Sequence, residues 1–327
     1  MGARYGQLTD EERIEIYAMR QAGRSQNAIA RALGRDKSTV SREIRRNRGQ
    51  RGYRPKQAHQ MAHQRREKPR TPKMTAPVTA YVEQKLKLQF SPEQISQTME
   101  ADLGCRVSVE RIYQHVYQDQ RQGGDLYKNL RIASGRKRRK RYGKKDARGR
   151  IPNRVGIEQR PALVEHRRRF GDWEGDLICG AHHRGFLVSL VERESRATFL
   201  GHVRNKTAEA VQGEILRLLK PHRRQVHTIT FDNGHEFAGH EQISQQLGCE
   251  CYFARPYHSW ERGTNENTNG LVRQYFPKGM DLRQVTDEQL EFVMGRLNHR
   301  PRKVLGFCTP AVVFCERLKS AAVALGT

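Results

Sequence analysis

The chain has 327 residues, enough for two or three domains of ordinary size. Lys and Arg number 61 against 35 Asp and Glu, a formal charge of +26, and a surplus of that size points to nucleic acid as the partner. No run approaches the roughly 18 apolar residues of a membrane-spanning helix, residues 1–5 lack the apolar core of a secretory signal, and the six cysteines lack the spacing of a zinc module or disulfide framework, so reduced cytosolic thiols are expected.

Residues 8–47 read as a helix-turn-helix within a DNA-binding domain over 1–50. Residues 11–21 favour helix and stop before Gly23; Ser25 can cap a second short helix that places Ile29 and Leu33 on one face and closes at Gly34. Asp36 can cap a third, with Val40 and Ile44 pointing inward at i, i+4. Lys37, Ser38, Thr39, Ser41, Arg42 and Arg45 are then left on its other faces, where they can meet base edges and phosphates in a major groove. A purely structural three-helix unit is the alternative.

Residues 51–90 read as a basic linker, since Arg45 to Lys73 holds eleven basic residues and one acid, Glu67. Ser91-Pro-Glu-Gln94 is a capping box with proline at the first helical position. It opens a second helix-turn-helix over 91–120, with Ile95 and Met99 on one helix, a stop at Leu103-Gly104, and Val109, Ile112, Tyr113 and Val116 on the next. This unit either binds DNA or serves packing and dimerisation. A second basic linker spans 121–151; Arg131 to Arg150 again carries eleven basic residues against one acid, Asp146. Arg138, Arg139 and Lys140 in that run are expected to contact phosphates without regard to base sequence.

From Pro152 the pattern becomes α/β. Strands are expected near 173–179, 185–191 and 196–203, then a helix over 207–219, a strand over 226–231, a helix over 236–246, a strand over 249–253 and a helix over 262–275. That order predicts a mixed sheet covered by helices over 152–318, with 319–327 as a tail. Asp176, Asp232 and Glu266 fall in a strand, at a strand end and in a later helix. Each alone has an ordinary reading, as a strand residue, a turn and a solvent-facing helix residue. Together they suit a site for hard divalent cations at one sheet edge, where paired ions serve phosphoryl displacement. Asp172, Glu174, Glu192, Glu194, Glu236 and Glu261 are nearby acids, with Glu236 the nearest rival. Asn265, Asn267 and Asn269 either orient substrate or face solvent.

The runs Trp173-Glu-Gly-Asp-Leu-Ile178, Leu190-Val-Glu-Arg-Glu-Ser-Arg196, Phe231-Asp-Asn-Gly-His-Glu-Phe-Ala238 and Arg262-Gly-Thr-Asn-Glu-Asn-Thr-Asn-Gly270 resemble the insertion-sequence-thirty family of bacterial transposases. So do Arg273-Gln-Tyr-Phe-Pro-Lys-Gly279, Leu297-Asn-His-Arg-Pro-Arg-Lys-Val-Leu-Gly306 and the N-terminal Ser38-Thr-Val-Ser-Arg-Glu-Ile44. The resemblance implies an RNase H-like core of the DDE type with Asp176, Asp232 and Glu266 as catalytic and metal-binding triad; the 33 residues between the last two match the family's spacing. It further implies Mg²⁺ as cofactor, with Mn²⁺ as substitute and two ions per site, and DNA as partner, at terminal inverted repeats and at the target. A homo-oligomer on DNA, located in the bacterial cytoplasm at the nucleoid, is expected. Two readings compete with transposition: a metal-dependent nuclease without strand transfer, and a non-enzymatic helix-turn-helix regulator.

Overall fold

The computed structural model describes residues 6–67, 73–131, 151–256 and 258–324. Arg138, Arg139 and Lys140 lie outside the described residues. Contacts divide the chain at Lys73 into two compact units.

The first unit contains α1 (Asp10–Gln21), α2 (Gln26–Ala32), α3 (Lys37–Arg46), the short strands β1 (Arg48–Gly49) and β2 (Gly52–Tyr53), and α4 (Pro55–Glu67). Thr9 and Glu12 form a capping box on α1, Ser25 caps α2 and Asp36 caps α3, so each helix start satisfies a backbone N–H that would otherwise lack a partner. Leu8, Ile16, Ile29, Val40 and Ile44 fill the core together with Tyr53 and Ala58. Those last two residues correct the expectation of a bare linker from 51. The basic stretch folds, because Ala58 gives α4 a side small enough to pack closely on α1 while its charged residues stay outside.

The second unit begins with three helices, α5 (Ala76–Lys87), α6 (Pro92–Leu103) and α7 (Val109–Arg121). The Ser91/Gln94 capping box starts α6, and Gly104 ends it at φ +64°, a left-handed conformation that glycine adopts without strain. Val82 and Leu86 of α5 pack with Ile95, Met99, Ile112 and Val116, so α5 too belongs to a helical core and not to a linker. This helical part is fastened to the C-terminal segment: Gln94 donates to the Pro301 carbonyl, and Lys303 pairs with Glu93 at 2.6 Å.

A five-stranded sheet follows, made of β3 (Asp172–Cys179), β4 (Phe186–Glu192), β5 (Thr198–Val203), β6 (Thr228–Phe231) and β7 (Glu250–Phe253). Its order is β5-β4-β3-β6-β7; the first three strands are antiparallel, and β6 and β7 run parallel to β3. Helices α8 (Ala208–Leu219) and α9 (His240–Leu247) cover one face with Val211, Ile215, Leu219, Ile243 and Leu247. Phe314 of α12 (Pro310–Ala324) joins that face against Trp173 and Phe199. α10 (Gly263–Val272) and α11 (Asp287–Asn298) cover the other through Leu271, Val272, Leu290, Val293 and Leu297. Residues 319–324 of the expected tail instead continue α12, which carries no helix-breaking residue through Ala324, and residues 325–327 lie outside the described residues. Among the described residues, no helix is long and apolar enough to cross a membrane.

Candidate active site

The run Trp173-Glu-Gly-Asp176 alternates between the two sheet faces, as β geometry requires. Trp173 enters the core against Phe199 and Phe314, whereas Glu174 and Asp176 both turn to α10. Gly175 is needed for closeness: a Cβ there would lie 2.5 Å from the Phe231 ring. Phe231 ends β6, so its passage across Gly175 brings the next residue, Asp232, beside Asp176 on the neighbouring strand.

Arg262 spans the two acids. Its Nη1 lies 3.4 Å from Asp176 Oδ1, and its Nη2 lies 3.7 Å from Asp232 Oδ2. Asn269 donates to the other Asp176 oxygen at 2.6 Å, the Leu177 N–H donates to Oδ1 at 2.9 Å, and the Gly234 N–H holds Asp232 at 3.0 Å. Burial pushes the Asp176 carboxyl above the usual range; the Arg262 charge opposes that shift and the Asp232 charge adds to it.

Glu174 fixes α10 onto the sheet. It is fully buried, and its carboxylate accepts the Asn265 N–H in the helix's first turn at 2.9 Å, where the helix dipole also favours an anion. The Asn265 side chain donates back to the Glu174 and Ser189 carbonyls and accepts from the Ser189 hydroxyl. Asn265 is therefore buried, not solvent-facing, and Asn269 one turn later touches Asp176; only Asn267 is exposed.

Glu266 lies about 100° round the helix from Asn265. It is exposed, on a face that shares an open cleft with Arg131, Asn267, Gly270 and Gln274. Asp176 and Asp232 are thus brought together, and Glu266 is not brought into a tight group with them: among the described residues, no three His, Cys, Asp or Glu side chains could hold one metal ion.

The other acids have structural partners. Asp172 holds Arg169 and the Thr228 hydroxyl, Glu192 accepts from Gly171 and Ser195, Glu194 pairs with Arg317, and Glu261 with Arg255. Glu236, the nearest rival, is buried, folds back over Gly234 and pairs with Lys206 at 3.0 Å.

In the first unit, Glu43, the acid on α3, faces inward to Arg13 at 2.8 Å and to the Tyr53 hydroxyl. That leaves an acid-free outer face in which Lys37, Ser38, Arg42 and Arg45 are exposed and Thr39 and Ser41 are half-buried. Arg42 lies back on its own helix, donating to Ser38.

Residues 4–47 match the family model described as a helix-turn-helix domain, and residues 166–259 match that of an integrase core domain. The chain is 42% identical to the transposase for insertion sequence element IS4351 of Bacteroides fragilis, covering 98% of this chain and 99% of that one. It is 38% identical to transposase InsI for insertion sequence element IS30A of Escherichia coli (strain K12), covering 93% of this chain and 82% of that one. The chain belongs to the IS30 family of transposases. Among solved structures, the catalytic core domain of BIV integrase aligns with a TM-score of 0.36 and 21% identity, over 46% of this chain and 98% of that one.

This IS30-family transposase is a DNA transposase of the DDE type: helix-turn-helix first, then an RNase H-like, integrase-like core with a mixed sheet. Enzymes with that core work with divalent metal ions. The oxygen donors of Asp176 and Asp232 are of the type that hard divalent ions take, and in this structure both carboxylates pair with the guanidinium of Arg262.

Proposed function

We propose that the chain binds the terminal inverted repeats of its own insertion sequence through residues 8–47. Asp176, Asp232 and Glu266 form the acidic set at which strands are cut at those ends and joined to target DNA. The observation that carries this reading is the meeting of Asp176 and Asp232 around one guanidinium. Mg²⁺, with Mn²⁺ as substitute and two ions per site, suits an all-oxygen donor set; when bound, the ions would polarise the scissile phosphodiester and lower the pKa of the attacking water.

The chain's own residues do the positioning. Asn269 and the Leu177 N–H fix both oxygens of Asp176, and the Gly234 N–H fixes Asp232. Arg262 gives up the acids and turns to a phosphate, and Glu266 is drawn to the pair on DNA. In the first step a water oxygen bonds to phosphorus and the P–O3′ bond breaks, leaving a 3′-hydroxyl and a 5′-phosphate. In the second, that hydroxyl oxygen bonds to a target phosphorus and another O3′ leaves, its proton supplied from solvent. No covalent protein intermediate forms. An element has two ends and each chain one acidic set, which favours a dimer or larger assembly, acting in the cytoplasm at the nucleoid.

Alanine at Asp176, Asp232 or Glu266 is expected to abolish cutting and joining in Mg²⁺ while leaving end binding largely intact. Incubating each variant with end DNA and a target plasmid checks this. Near-wild-type joining by any one variant removes that residue from the set, and cutting without joining by the wild type would make the protein a nuclease.

A further inference from the structure

Two arginines, Arg300 and Arg302, gather beneath the outer side of α10, and among the described residues neither forms an ion pair. Arg300 is fully buried and Arg302 is 8% exposed. Arg300 donates to the Tyr275 hydroxyl at 2.9 Å and to the side-chain amide oxygens of Gln89 and Gln274 at 3.4 Å; Arg302 donates to the Leu297 backbone carbonyl at 3.2 Å. Among the described residues neither pairs with a carboxylate, and the Nε of each is buried without an acceptor. Burial pulls the Arg302 guanidinium down to about 10, and the charges of Arg300, Arg131 and Arg196 push the same way. Clustered, desolvated like charges are costly unless an anion comes to them.

A cleft lies beside that cluster and is joined to it through the Gln274 side chain. Arg131, which is exposed, and Gln274 line the same cleft of about 450 Å³ as Glu266 and Asn267. Arginine has only donors, so Arg300 forces the Gln274 carbonyl oxygen inward and leaves its amide NH₂ free to donate elsewhere. One acid, Glu266, stands on this cleft against the positive charge of Arg131 at its mouth and of Arg300 and Arg302 behind it.

We propose that the cleft binds a backbone phosphate of the DNA, with Arg131 pairing to it at the mouth, Gln274 donating its amide, and Arg300 and Arg302 supplying unbalanced positive charge beneath. The proposal rests on the transposase reading. An occupied cleft holds a strand against the helix that carries Glu266, and so gives the Arg300-Pro-Arg302 run a role in substrate placement. A strut between the helical part and the core is the competing role, since Arg300 also reaches Gln89 and Gln94 reaches Pro301.

The test uses the full chain and duplex repeat DNA in chelator, where no cutting occurs, with affinity measured across a salt series. Arg131→Gln should flatten the slope of log affinity against log salt by about 0.9, the value for one lost phosphate contact. Arg131→Lys should restore it. The melting midpoint of Arg131→Gln without DNA should equal or exceed that of the wild type, because a repelling charge has gone. A wild-type slope in Arg131→Gln overturns the proposal, as does a flattened slope in both variants, a lowered midpoint in Arg131→Gln, or a wild type that binds no DNA. Failure of the transposase reading looks different: the Arg131→Gln slope flattens and Arg131→Lys restores it, but the wild type cuts nothing when Mg²⁺ is added.

Discussion

The Cβ that Gly175 lacks would sit 2.5 Å from Cε1 of Phe231 and 3.3 Å from Leu190 Cδ2, inside a packed core where no neighbour is the free end of a flexible chain. Gly175→Ala should therefore cost about 1 to 3 kcal/mol, the usual range for overpacking, and cutting should fall because Asp176 and Asp232 flank the contact. Phe231→Leu added to that background should recover part of both losses. Urea denaturation and a cutting assay measure them, and a Gly175→Ala variant as stable as wild type would show that the ring simply moves. Asp176 and Asp232 are legible in the sequence because each sits in a distinctive linear run. Glu174 is not, although alternation puts it on the same face as Asp176: its role depends on the Asn265 N–H, 91 residues away in sequence. Arg300 and Arg302 are harder still, since their meaning lies in an absent counter-charge, and that emerges only when residues 89, 131, 274 and 300 come together in space.

Among the elements, α3 is the most legible, because Asp36, Val40 and Ile44 announce its start and inward face within nine residues. Glu43 is the one acid on that helix, and its inward turn to Arg13 and Tyr53 is set by contacts that no local periodicity carries. Arg42→Ala or Arg45→Ala should weaken binding to the terminal repeat more than to random DNA, by about 1 to 3 kcal/mol for a lost base contact. Competition titrations with both DNAs measure the difference; equal losses on the two would make α3 a backbone clamp and move base reading to α6 and α7. α4 was hidden for a physical reason. Its stretch is dominated by basic and polar residues, and the few apolar contacts that order it, such as Ala58, are too small to produce a periodic signal.

At the scale of the whole molecule, the division at Lys73 separates two units that each have their own apolar core. Produced separately, residues 1–73 should fold and prefer repeat DNA to random DNA, and residues 74–327 should keep Mg²⁺-dependent nicking without that preference. Circular dichroism, competition binding and plasmid nicking together check this. A 74–327 fragment that retained full repeat preference would contradict the assignment of base reading to the first unit. The α/β order and nearly every strand were visible in the sequence because buried strands and amphipathic helices leave strong periodic patterns. The attachment of the helical part to the C-terminal segment was not, since it rests on polar pairs such as Lys303 with Glu93.

Arg262 between Asp176 and Asp232 has a bearing on how the protein is made. Two like charges at a sheet edge would resist being brought together during synthesis, and many metalloproteins solve this by folding only around their ion. Here the chain carries its own cation to that place. Newly made protein should therefore reach its native fold without divalent ions, so refolding in chelator should restore the same far-UV circular dichroism as refolding in Mg²⁺.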